Sequence, residues 1–113
     1  MSYRLICPYG RLPVERGIAA LVDGEQVAVF RTADGDLHAL SNADPFSGAM
    51  VLSRGIVGSR GDRPTVASPV YKQVFDLETG QCLDAPAVRL PVHLVRVRDG
   101  LVEVALEAEA LSD

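Results

Sequence analysis

The stretch Ser68-Pro69-Val70-Tyr71-Lys72-Gln73-Val74-Phe75-Asp76-Leu77-Glu78-Thr79-Gly80 joins a proline-containing loop to a short β-favouring run and a glycine turn. Its two halves differ in kind. Ser68–Gln73 is polar and turn-prone, whereas Val74–Leu77 places apolar residues in a strand-like segment closed by Thr79-Gly80. Strand candidates lie on either side of it, Pro64–Ala67 before and Gln81–Leu83 after.

The same rhythm extends outward. Asp23-Gly24, Asp34-Gly35 and Asp99-Gly100 punctuate further apolar segments, and such pairs supply the positive φ angles of tight hairpins. Ile18–Asp23 and Gln26–Arg31 flank the first pair. Val27–Arg31 and Leu37–Leu40 flank the second, and Val92–Arg98 and Leu101–Leu106 the last. In that last pair the alternation is imperfect but much nearer period two than 3.6, and the recurring rhythm of short strands and turns predicts a small all-β antiparallel sandwich or barrel. No linker, repeat or low-complexity stretch divides the 113 residues, so one domain spanning 1–113 is expected. The acidic tail 107–113 is expected to form a frayed turn or no structure. Residues 42–63 hold four glycines and few strand signals, and are expected to form a long functional loop.

Net charge is −4, with 11 basic against 15 acidic residues, which argues against a general nucleic-acid binder. The N-terminus Met1-Ser2-Tyr3-Arg4-Leu5-Ile6-Cys7-Pro8 has no basic stretch followed by a long apolar run. No aliphatic run approaches the ~20 residues of a membrane span. A cytoplasmic chain without membrane contact is the expectation. Arg60-Gly61-Asp62 looks like an adhesion motif and is read as coincidence in that setting.

Two Cys and two His are the minimum for a Cys2His2 metal site. Such sites draw ligands as close pairs. Cys7 and Cys82 are far apart in sequence, and His38 and His93 each stand alone in a strand candidate, so structural thiols and strand histidines are expected instead. There is no Gly-x-Ser-x-Gly elbow, and no carboxylate pair stands out as an acid/base couple. Gly55-Ile56-Val57-Gly58-Ser59-Arg60-Gly61, with Arg54, Arg60 and Arg63 around it, has the makings of an anion cradle but matches neither dinucleotide nor Walker patterns. A turn-rich loop with solvated arginines is the simpler reading, and partner contact the second.

The opening stretch resembles the second cluster loop of Rieske [2Fe–2S] domains, Cys-Pro-x-His-Gly-x-x-Phe-Asp-x-x-Thr-Gly. Pro69, Phe75-Asp76 and Thr79-Gly80 match, and Pro86 fits downstream. The ligand positions do not. Ser68 stands at the Cys position and Tyr71 at the His, and in the first loop Asn42-Ala43-Asp44 replaces Cys-x-His. A Rieske centre needs two thiolates and two imidazoles. The resemblance therefore implies a Rieske-like fold with a cluster-binding-type subdomain that lacks its ligands.

One family combines these features. Asp44-Pro45-Phe46-Ser47-Gly48-Ala49, Leu52-Ser53-Arg54-Gly55-Ile56-Val57-Gly58 and Ala67-Ser68-Pro69-Val70-Tyr71-Lys72-Gln73 resemble the small subunit of assimilatory NAD(P)H-dependent nitrite reductase. That resemblance implies an accessory chain with no cofactor and no catalytic or metal-binding residues of its own. Its partner would be a large subunit carrying sirohaem, a [4Fe–4S] cluster and FAD, which reduces nitrite to ammonium. The loops Asn42–Met50 and Ser68–Gln73 would remain contact surface. Asn42, Asp44, Ser68 and Tyr71 would mark the vacated ligand positions, and Phe46, Met50, Arg54 and Lys72 further contacts. Tyr71 would either face the partner or fill the vacated volume as core. The alternative from another class is a Rieske-type ferredoxin, such as the electron-transfer subunit of an oxygenase, holding a cluster through a non-standard ligand set.

Overall fold

Asp23-Gly24 and Asp99-Gly100 form the tight positive-φ hairpins their chemistry predicts, whereas Asp34-Gly35 lies in a five-residue loop, 32–36, in which only Gly35 has a positive φ. In the structure, a computed structural model describing residues 3–106, β2 (Arg16–Val22) folds back on β3 (Glu25–Arg31) with Val22 opposite Glu25. Asp23 and Gly24 take φ values of 47° and 85° between them. β4 (Leu37–Ser41) pairs with β3 from Arg31↔Leu37 to Val27↔Ser41. The last hairpin joins β8 (Val92–Arg98) to β9 (Leu101–Ala105) around Asp99-Gly100.

β1 (Arg4–Pro8) adds to β9, with a bulge between Leu5 and Cys7. The result is a six-stranded antiparallel sheet in the order β1-β9-β8-β4-β3-β2. A second sheet of three strands, β5 (Ile56–Arg60), β6 (Arg63–Ala67) and β7 (Val74–Asp76), is inserted between β4 and β8.

Two apolar clusters hold these layers. Leu12, Val22, Val27, Val29, Ala39, Val102 and Val104 fill the interior of the six-stranded sheet. Ala28, Phe30, Leu40, Leu52, Val66, Phe75, Leu77, Cys82 and Leu90 join that sheet to the inserted one. Residues 27–30 of β3 alternate between the two, so this strand is buried on both faces.

The structure departs from the sequence expectations in four places. The expected long loop at 42–63 contains β5 and a 3-10 turn at Leu52–Arg54. β5 is exposed along most of its length and is held by backbone pairing with β6, so it carries no apolar alternation to read. β1 escaped notice because its bulge breaks the period. Gln81–Leu83 is not a strand; it makes only the isolated bridges Phe75↔Cys82 and Gln81↔Arg89. β7 ends at Asp76, one residue early, because Asp76 turns the chain. The expectation for the tail 107–113 lies outside the described residues.

Candidate functional site

The motif Phe75-Asp76-x-x-Thr79-Gly80 is a strand end followed by a fixed turn. Phe75 is fully buried. Asp76 Oδ1 accepts hydrogen bonds from the backbone N–H of Glu78 at 2.8 Å and Thr79 at 3.3 Å, and Oδ2 accepts one from Arg63 at 3.2 Å. Gly80 has φ +79°, and a Cβ there would lie 2.2 Å from the Leu90 carbonyl oxygen. Only glycine fits. This turn anchors the β7 end of the second loop.

That loop runs from Ser68 to Gln73. Ser68 donates its backbone N–H to Gln73 O at 2.9 Å, and Lys72 sits at φ +62°. Pro69, Val70, Tyr71 and Lys72 are exposed, Tyr71 by 60%. Tyr71 is therefore surface, and of its two expected placements the core one does not occur.

The first loop is closed by Asp44. Its N–H donates to Ala49 O at 2.9 Å, its carbonyl accepts from Gly48 at 2.7 Å, and its Oδ1 accepts from Phe46 N–H at 2.8 Å. Asp44 Oδ2 accepts the Ser68 hydroxyl hydrogen from the second loop. Both residues are buried. A buried carboxylate requires such donors.

Asn42 is buried and satisfied on three sides. Its Nδ2 donates to Gln26 Oε1 at 3.1 Å and to Met50 O at 3.2 Å, and its Oδ1 accepts from Ser53 N–H at 2.7 Å. It ties the first loop to the β2–β3 hairpin and to the Leu52–Arg54 turn.

The structure thus brings Asn42, Asp44 and Ser68 to the base of the two loops and leaves Tyr71 at the rim. Met50 (50% exposed) and Lys72 are on the rim as well. Phe46 is half-buried and packs against Phe75, with ring centroids 6.3 Å apart. Arg54 is exposed but lines a separate cleft with Arg16. Gln26, Ser53 and Arg16 went unnoticed in the sequence. Only the Asn42 contacts and the approach of β2 to the Leu52–Arg54 turn bring them in, and neither leaves a local signature.

The donor set at the loops does not fit a Rieske cluster. The three buried positions offer amide, carboxylate and hydroxyl groups already engaged (Asp44 with Ser68 and backbone, Asn42 with the Gln26 side chain and backbone), and the fourth is an exposed phenol. Soft thiolate and imidazole ligands are missing from both loops. Cys7 lies in β1, Cys82 in the core below, His38 in β4 and His93 in β8. Among the described residues no group of three or more Cys, His, Asp or Glu is arranged to hold a metal. Burial pushes the Cys7 thiol up, with Arg11 opposing, which is the reverse of an activated nucleophile.

A six-stranded antiparallel sheet bearing a three-stranded insert, with two loops meeting at its tip, defines a Rieske-type domain. The model of the Rieske-like [2Fe–2S] domain family matches residues 2–105. The nitrite reductase (NADH) small subunit of Escherichia coli K12 is 39% identical over 104 residues, covering 91% of this chain and 96% of that one. A crystal structure of an NADH-dependent nitrite reductase small subunit from Mycobacterium tuberculosis is 50% identical, covers 91% of this chain and 93% of its own, and superposes with a TM-score of 0.89. A 102-residue segment of the Klebsiella oxytoca nitrite reductase [NAD(P)H] large subunit is 38% identical to 90% of this chain and makes up 11% of that polypeptide. The chain belongs to the nitrite reductase small-subunit family of Rieske-like domains. Among the described residues no helix is long and apolar enough to cross a membrane.

Proposed function

We propose that the chain is the accessory small subunit of an NAD(P)H-dependent nitrite reductase, works without a cluster of its own, and docks on the large subunit through its two tip loops. The Klebsiella large subunit carries the reading, because a segment similar to this domain is there part of the reductase polypeptide itself. Covalent linkage keeps two folded units at high effective concentration. A separate small subunit must reach the same proximity through an interface.

The tip supplies features such an interface uses. Met50, Val70 and Tyr71 are exposed, with Lys72 beside them. Aromatic and Met side chains are enriched at interfaces, and the fixed frame beneath them limits the backbone freedom lost on docking. The Asp44–Ser68 hydrogen bond fixes that frame where a metal cluster does so in a Rieske centre. The partner is expected to supply sirohaem, a [4Fe–4S] cluster and FAD, and the assembly to work in the cytoplasm.

The test is copurification with the large subunit, followed by nitrite-dependent NADH oxidation with and without this chain. Association at micromolar concentration, with a change in turnover or in large-subunit stability, is expected. Absence of association at that concentration overturns the reading. So does a brown purified chain with stoichiometric iron and sulfide, which would place it among electron carriers instead.

A further inference from the structure

A cleft of about 300 Å³ opens between the start of β2 and the Leu52–Arg54 turn, lined by Pro13, Arg16, Gly17, Ser53, Arg54 and Gly55. Two arginines and no carboxylate residue line it, in a chain with more acidic than basic residues. Arg4, Arg60, Arg63 and Arg96 each reach a carboxylate within 3.6 Å. Among the described residues the side chains of Arg16 and Arg54 make no ion pair or hydrogen bond. Of the three arginines around the glycine-rich segment, Arg60 and Arg63 are thus neutralised by Asp84 and Asp76, and Arg54 is left for this cleft.

The cleft is built on fixed backbone. A Cβ on Gly17 would lie 2.5 Å from Ser53 O and 2.6 Å from the Phe30 ring; a Cβ on Gly55 would lie 2.5 Å from Ala67 O and 2.6 Å from Val66. These approaches lock the chain immediately beside Arg16 and Arg54. Asn42 Oδ1 holds Ser53 N–H at 2.7 Å, and Gly55 N–H closes on Leu52 O at 2.9 Å.

Two cations lining one cleft repel each other unless an anion lies between them. Guanidinium forks match phosphate oxygens in shape as well as charge. We propose that the Arg16–Arg54 cleft binds a diphosphate, either free or as the diphosphate of a nucleotide. Two arginines carried on a fixed backbone suit a multiply charged ligand better than a monoanion such as nitrite. The inference is independent of docking at the tip loops, since it needs no partner chain.

The test is an NMR titration of the isotope-labelled full chain with pyrophosphate, ADP and nitrite in turn, at constant ionic strength. Saturable amide shifts at Gly17, Ser53, Arg54 and Gly55 are expected with pyrophosphate. The affinity is expected to fall at least tenfold in Arg16→Ala and in Arg54→Ala, and to be unchanged in Arg60→Ala. Both altered side chains are exposed, so the variants are expected to keep a native spectrum. Saturation by ADP as well assigns the site to nucleotide diphosphates; saturation by pyrophosphate alone assigns it to the free anion. Shifts that do not saturate, that survive both arginine variants, or that appear equally with nitrite overturn the proposal.

Discussion

Ser68 gives its hydroxyl hydrogen to the Asp44 carboxylate across the join of the two tip loops, and both residues are buried. Ser68→Ala leaves Asp44 Oδ2 without that donor. The expected cost is about 1–3 kcal/mol of stability. A urea midpoint lowered accordingly, with faster amide exchange at Phe46 and Val70, is the predicted result; an unchanged midpoint would show that water replaces the hydroxyl at no cost.

Asn42 serves three partners at once. Asn42→Leu keeps approximate volume but strands Gln26, the Met50 carbonyl and the Ser53 N–H. Thermal unfolding is expected to show a loss of about 1–3 kcal/mol, with Asn42→Asp also destabilising because it cannot donate to Met50 O.

Most of the fold was legible in the sequence because hairpins are local. Asp23-Gly24 and Asp99-Gly100 name their own conformation, and the apolar alternation of Val102 and Val104 names the buried face of β9. β5 was not legible, since only Val57 packs against the core and its other side chains are exposed, which leaves no alternation to read. The resemblance implies Ser68 from the motif around Phe75-Asp76, and Asn42 and Asp44 from the first loop, as vacated ligand positions, whereas the hydrogen bond between Asp44 and Ser68 has no signature in either. The Asp44–Ser68 bond joins residues 24 apart, and no local pattern announces it. Arg16 was missed for the same reason: its significance lies in what the approach of Gly17 to Ser53 brings near it.

Tyr71 is 60% exposed, and its role is expected at the interface rather than in the core. Tyr71→Ala should change stability by less than about 0.5 kcal/mol. The same substitution is expected to weaken association with the large subunit at least tenfold, about 1.4 kcal/mol. Calorimetric titration of the two subunits reads the second effect and denaturant melts the first.

Gly80 combines a positive φ with a close carbonyl. Gly80→Ala is expected to cost about 2–5 kcal/mol, summing left-handed strain and overpacking. Gly24→Ala, with open space around its Cα, carries only the first of these and should cost less. Equal losses in the two melts would show that the Leu90 carbonyl moves aside freely.

Burial holds the His38 imidazole below its ordinary pKa of 6.5, against the opposing pull of Asp36, Glu78, Asp34 and Asp76. The unfolded chain therefore takes up this proton at a higher pH than the folded one does. Stability from the site is full above about pH 6.5 and falls as the pH drops below it, down to the folded pKa. His38→Gln should flatten the decline measured between about pH 7 and 5. A decline of unchanged slope would assign it to other groups.

β3 sends Val27 and Val29 to one apolar cluster and Ala28 and Phe30 to the other. A slip of one residue would exchange the occupants of both, so its register is specified twice over. The strand is a party wall. Stripping away the inserted sheet would bare one side of it, and loosening the larger sheet would bare the other, so the two layers are expected to melt in a single transition. Force applied to the inserted sheet is then expected to reach the larger sheet through β3 itself.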